Sequence, residues 1–254
     1  HWVVETNTTK YTTRVLVGAD GRKSIVSKAL DNDVAVSERR VALHAYVNMP
    51  GLNIRQGEMH IFENGAYIGI NPTGEREMNF SLVLDAGELQ ALGSPLNALN
   101  HYISQSAHLK ARFKPFEDAK VITAAYPIQH RTKSIIPAHN VALIGDAAGF
   151  VDPLTGEGMY NALLSSQLLA EQIEKSFSQS LHIEKKVFVE YERQYSKVLR
   201  NKIRLNRFFQ ILIRHPKLIE VIARFLLTRQ RRADAFIGII GNIYSPFQGF
   251  FKLL

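Results

Sequence analysis

The residues whose types and spacing best suit chemistry lie between Val141 and Asn161, in the run VALIGDAAGFVDPLTGEGMYN. Asp146 follows Gly145 just after a short apolar, β-rich segment, Val141–Ile144. A carboxylate there accepts hydrogen bonds from hydroxyl groups. Gly145, Ala147, Ala148 and Gly149 are small, so the backbone can come very close to something flat or bulky. Pro153-Leu154-Thr155-Gly156-Glu157-Gly158 then leads into a helical pattern. Gly156 and Gly158 would leave backbone N–H groups open at that helix's N-terminus, where partial positive charge suits an anionic ligand group.

Other chemistries lack their residues. There is no Gly-x-Ser-x-Gly elbow, no His-Glu-x-x-His and no Walker loop, and the nine histidines form no ligand spacing. No metal site and no catalytic side chain is assigned. The chain has no cysteine, which excludes disulfides, thiol catalysis, Cys-based zinc sites and iron–sulfur clusters and is compatible with a reducing compartment.

These residues need elements to hold them. The 254 residues, 46% hydrophobic and 21% charged, suffice for one large domain or two small ones. Trp2–Val4 and Thr12–Val17 read as strands. The second runs into GADGRKSIVSKAL, again a strand, an Asp-Gly turn and a helix start, with Ile25–Leu30 at helical spacing.

The two motifs together resemble flavoproteins of the p-hydroxybenzoate hydroxylase fold, most closely the geranylgeranyl reductase-like family. In that family the first motif lies near the FAD pyrophosphate, which implies Asp20, Gly21 and Ser24 here. The second reaches the ribityl chain and the pyrimidine edge of the flavin, which implies Gly145, Asp146, Ala147, Pro153, Gly156 and Gly158. The resemblance implies FAD as cofactor and NAD(P)H as reductant. It also implies a flavin that carries the reaction while the protein supplies position and electrostatics.

Between the motifs, residues 37–128 change character. Arg39–Asn48, Gln56–Phe62, Ala66–Ile70 and Met78–Leu84 are alternating or β-rich runs, and Val121–Tyr126 is one more. Pro50-Gly51, Asn64-Gly65 and Pro72-Thr73-Gly74 separate them, Asn64-Gly65 being a hairpin signal. A helix is expected over 96–109. The pattern describes a largely antiparallel sheet, which the resemblance makes the substrate-binding layer. Tyr46, His60, Tyr67, Asn71 and Tyr126 are candidates to face a ligand, beside ordinary places in the sheet. The lone tryptophan is Trp2, so the W-x-W-x-I-P signature of flavin halogenases is absent.

After the second motif a helix is expected from about Thr155 to Lys175, with Tyr160, Leu164, Leu168, Leu169 and Ile173 facing the core. From Glu184 onward the chain reads as helical, and Pro216 should split Leu205–Leu227 into two helices. Lys185–Arg232 holds fourteen Lys and Arg against three Glu, so the net charge of +8 belongs to this segment. Two readings stand for the tail: a packed helical region with its cations in water, or an amphipathic surface that docks on anionic lipid headgroups. No nucleic-acid recognition motif accompanies the charge.

The expected fold class is mixed α/β: part of a Rossmann-like, three-layer FAD/NAD(P)-binding domain at 1–36 and 129–180, a substrate-binding sheet at 37–128, and a helical C-terminal region at 181–254. The family's G-x-G-x-x-G segment, which binds the ADP half of FAD, has no match, and the chain opens without Met on a strand. The expectation is therefore the C-terminal part of a longer flavoprotein, inactive by itself and weak in FAD binding. The whole protein would be a cytoplasmic oxidoreductase, peripheral to the membrane if its tail docks there. It would reduce or hydroxylate a hydrophobic substrate, a prenyl lipid or an aromatic compound. The alternative is a non-catalytic lipid- or partner-binding module that keeps the fold.

Overall fold

A computed structural model describes residues 1–36, 40–49, 56–117, 120–125, 128–179, 185–241, 243–244 and 246–253. The Pro50-Gly51 turn, Tyr126 and Arg39 lie outside the described residues. The chain forms two compact units, His1–Ser37 with Gln129–Phe209, and Glu38–Ile128 with Gln210–Leu254. The C-terminal residues expected as one helical region divide between the two.

In chain order, strands β1 (Trp2–Glu5) and β2 (Lys10–Thr13) pair antiparallel, followed by β3 (Leu16–Gly18), helix α1 (Ile25–Ala29) and β4 (Asp33–Val34). Thr12–Val17, expected as one strand, is two. The Thr13 hydroxyl donates to Val15 O at 2.7 Å, a local bond that competes with the ladder and redirects the chain between β2 and β3.

Next come β5 (Arg40–Asn48), β6 (Glu58–Ile61), β7 (Tyr67–Pro72) and β8 (Glu77–Asp85). Helices α2 (Ala86–Leu92), α3 (Pro95–Gln105) and α4 (Ala107–Arg112) follow, then β9 (Lys120–Ala125). These strands make an antiparallel sheet in the order β6-β7-β8-β5-β9. Asn64-Gly65 turns the chain between β6 and β7, with Gly65 at φ +80°. Along β8, Met78, Phe80, Leu82 and Leu84 alternate onto one face, where Leu99, Tyr102 and Ile103 of α3 cover them. The single helix expected over 96–109 is broken at Ser106, whose extended backbone and side chain cap α4 through Leu109 N at 3.3 Å. Of the candidate ligand-facing sheet residues, Tyr67 is buried, Tyr46 and His60 are half-buried and Asn71 is exposed.

The chain returns to the first unit through β10 (Arg131–Thr132) and β11 (Val141–Leu143), then α5 (Gly158–Gln179) and α6 (Lys185–Leu212). It ends with α7 (Pro216–Leu227), α8 (Gln230–Ile240) and α9 (Pro246–Leu253). Pro216 takes the first position of α7, where its missing N–H costs nothing. In the first unit, Val187, Phe188, Tyr191, Tyr195 and Leu199 of α6 pack with Ala142 and Leu143 of β11 and Leu169 of α5. The Tyr191 hydroxyl donates to Leu143 O at 2.8 Å, which ties helix to strand within the core. Tyr160, expected in the core stripe of α5, is exposed instead, with the Lys202 ammonium 3.6 Å from its ring centre.

Candidate functional site

The site is assembled by one strand pairing. β3 and β11 run parallel in the register Leu16–Val141, Val17–Ala142 and Gly18–Leu143. Both strands therefore end at the same edge and deliver Ala19-Asp20-Gly21 and Gly145-Asp146 side by side, although the two turns lie far apart in sequence. Ligands of parallel α/β sheets bind at such carboxyl ends. A cavity of about 630 Å³ opens there. Of the nine residues singled out in the sequence, Gly21, Gly145, Asp146, Pro153, Gly156 and Gly158 line it.

The other three do not line it, and each has structural work. The Asp20 carboxylate accepts from Ile25 N at 2.6 Å and Val26 N at 3.4 Å. Burial alone would raise its pKa, but hydrogen bonds from the Ser24 hydroxyl and these backbone groups outweigh that and hold it below the ordinary value. Ser24 is fully buried and caps α1 through Ser27 N at 3.0 Å. Ala147 is fully buried, and its carbonyl lies 3.2 Å from His130 Nε2.

Asp146 is different. Its side chain is half-buried, and among the described residues its carboxylate makes no hydrogen bond. Burial raises its pKa, opposed by the positive field of Arg22 and His130. A desolvated acceptor without a donor, at the wall of a cavity, suits a ligand that brings hydroxyl groups.

The turn beyond it is held from two sides. The buried Asp152 caps Pro153–Thr155 through Leu154 N at 2.9 Å. Gly156 sits at φ +69°, a left-handed conformation that favours glycine, and its N–H bonds Pro153 O at 2.9 Å. The Gly156 N–H is thus used within the turn, not left open as expected. The open groups begin two residues later. Among the described residues, the N–H groups of Gly158, Met159 and Tyr160 have no acceptor, while Asn161 N returns to Glu157 O. They begin a helix of 22 residues. A Cβ added at Gly158 would lie 3.7 Å from Phe150 Cε2 and 4.0 Å from Asp146 Oδ1.

Helix α6 braces the turn from behind, through residues the sequence did not single out. Asn206 Nδ2 donates to Asp152 O at 3.1 Å. Lys202 Nζ stands 3.5 Å from Glu157 Oε1, both side chains 13% exposed. Burial lowers the Lys202 pKa and the Glu157 charge opposes the shift. Lys202 and Asn206 belong to a basic helix whose cations read from sequence as solvated or as facing lipid headgroups, so no local signal marked them as a brace. Asp152-Pro153 did carry a readable signal, a capping residue before a proline.

A sequence-family model described as "FAD binding domain" matches residues 3–178. The chain belongs to that family. This FAD binding domain chain is 22% identical over 243 residues to digeranylgeranylglycerophospholipid reductase 2 of Methanopyrus kandleri, a match covering 91% of the chain and 61% of the relative. Among solved structures, the flavin-dependent brominase Bmp2 superposes with a TM-score of 0.73 at 16% identity, covering 93% of this chain and 60% of that one. PqsL of Pseudomonas aeruginosa, described as a probable FAD-dependent monooxygenase, superposes with a TM-score of 0.63 at 20% identity, covering 85% and 60%. At these identities the structural likeness shows the fold, that of FAD-dependent monooxygenases and halogenases. The chain spans about half the length of the curated relatives it matches.

Proposed function

We propose that the protein is an FAD-dependent oxidoreductase that uses NAD(P)H to reduce a hydrophobic substrate. The observation that carries this reading is the convergence of the two motifs at the ends of β3 and β11, around a carboxylate that accepts no hydrogen bond among the described residues. The residues fit FAD. Asp146 offers free acceptors to ribityl hydroxyls. Gly158 and Met159, whose N–H groups are open, line the same cavity at the start of a long helix, which favours negative charge on a ring edge placed there. Gly156 and Gly158 keep this wall free of side chains, so a flat ring can come against backbone.

When bound, FAD supplies two-electron redox chemistry between NAD(P)H and the substrate. The chain's own part is to orient and to stabilise charge. Asp146 fixes the sugar chain, the start of α5 stabilises negative charge, and Asp152, Glu157, Lys202 and Asn206 keep the turn in place. Double-bond reduction is the first reading because the sequence match to a reductase runs over 91% of the chain. Hydroxylation is the second, favoured by the fold shared with the probable monooxygenase.

The two differ in their need for oxygen. Anaerobic oxidation of NADPH or NADH with a prenyl-lipid substrate, giving a product with two added hydrogens, supports reduction. A strict requirement for oxygen, with one oxygen atom in the product, favours hydroxylation. Failure of both nucleotides to reduce the flavin contradicts NAD(P)H as the electron source.

A further inference from the structure

Helix α9 is a short element with two unlike faces. Gly249 is buried and packs on Ile239 of α8 so closely that an added Cβ would lie 2.1 Å from Ile239 Cγ1. On the other side Phe247, Phe250 and Phe251 are 73%, 56% and 59% exposed. Their spacing places them on one helical face, and the Phe247 and Phe251 rings meet edge to face at 4.9 Å. Helix α7 repeats the arrangement. Leu218, Val221 and Phe225 form an exposed stripe at helical spacing, while Ile222 and Leu226 turn inward and Lys217 and Arg224 flank the stripe.

Arg232 of α8 joins the two. Its guanidinium lies 4.0 Å from the Phe225 ring centre, and its Nε donates to Leu253 O at the end of α9 at 3.0 Å. The cluster is thus a run of exposed rings and aliphatic groups interleaved with cations. Residues 214–252 carry seven Lys and Arg against Glu220 and Asp234. Among the described residues no helix is long and apolar enough to cross a membrane.

We infer that α7, α8 and α9 dock this unit on the surface of an anionic lipid bilayer. Exposed phenylalanines with flanking Lys and Arg suit the boundary between acyl chains and headgroups, where rings leave water and cations meet phosphate. The same charge opposes the rival occupant, since a second copy would set two cationic faces against each other. The inference is independent of the flavin reading.

Sedimentation of the full chain with vesicles tests it. One set is phosphatidylcholine alone, and the other has about a third of its lipid replaced by phosphatidylglycerol. We expect at least about tenfold more protein on the anionic vesicles at low salt, with most of it released by high salt. The variant F247S/F250S/F251S should lose this binding while its circular dichroism and thermal midpoint stay those of the parent, because the three rings are exposed. Equal binding to both vesicle types, binding to neither, or unchanged binding by the triple variant would overturn the inference. So would a dimer in light scattering that the triple variant dissolves, which would identify a second copy as the occupant.

Discussion

Gly18 and Leu143 are the last paired residues of two parallel strands, and they touch so closely that no side chain fits between them. A Cβ added to Gly18 would lie 2.5 Å from Leu143 Cδ2 and 3.1 Å from Val26 Cβ. Leu143 is fully buried, with its carbonyl held by Tyr191, so it has little room to yield. Replacing Gly18 with Ala should cost about 1–3 kcal/mol by overpacking. Thermal or urea unfolding measures the loss, and Leu143→Ala in the same chain should recover part of it. An additive double variant would contradict the contact.

Asp146→Asn should separate stability from binding. Burial raises the folded pKa of this carboxyl, so it favours folding most below its ordinary pKa and that benefit is lost as pH rises through the raised value. Removing the charge should therefore leave stability at neutral pH unchanged or slightly higher. FAD affinity should fall by about tenfold, since a charged acceptor is replaced by a neutral one. Calorimetry of unfolding and flavin titration together check both halves.

Gly156 and Gly158 should respond differently to alanine. Gly156 has open space around its Cβ position but φ +69°, so Gly156→Ala should cost about 1 kcal/mol through backbone strain. Gly158 has no positive φ and ordinary distances to its neighbours. Gly158→Ala should leave the melting temperature nearly unchanged and weaken FAD binding, because its methyl group would stand at the cavity wall. Equal destabilisation by both variants would contradict this division.

The second unit has its own pH-dependent contact. Arg112 at the end of α4 grips Glu58 of β6 with two bonds, Nη1 to Oε2 at 2.6 Å and Nη2 to Oε1 at 2.8 Å. The Arg112 hydrogen bonds, working against burial and helped by His60, hold the Glu58 carboxyl at about 2. Its folded pKa is depressed, so its contribution is complete above the ordinary carboxyl range and is lost as pH falls toward 2. The side chains are 27% and 24% exposed, and solvent screening keeps the pair to about 1 kcal/mol. Glu58→Gln should remove that amount at pH 7 and almost nothing at pH 2, as urea unfolding at the two values would show.

Much of the site was legible because its backbone demands are local. Gly145, Asp146, Pro153, Gly156 and Gly158 are read from one short run, and Gly21 from another. The meeting of the two runs is not local, since it depends on β3 pairing with β11 and not with the adjacent β2. Residues with the right type can also serve the turn itself, as the Asp20 and Ser24 caps show. The brace from α6 was illegible because Lys202 and Asn206 are recognised only when their helix is laid against Asp152 and Glu157. The sheet strands were readable from alternation, whereas the split at Ser106 needed a side-chain cap that a hydrophobic count does not register.

On this reading the cavity beside Asp146 holds FAD. The most direct test is the visible absorption spectrum of the complete protein, purified and then denatured to release what it carries. A flavin spectrum and free FAD in solution are expected, with Asp146→Asn losing the colour more readily than the parent. A colourless protein that stays colourless after incubation with FAD would contradict it.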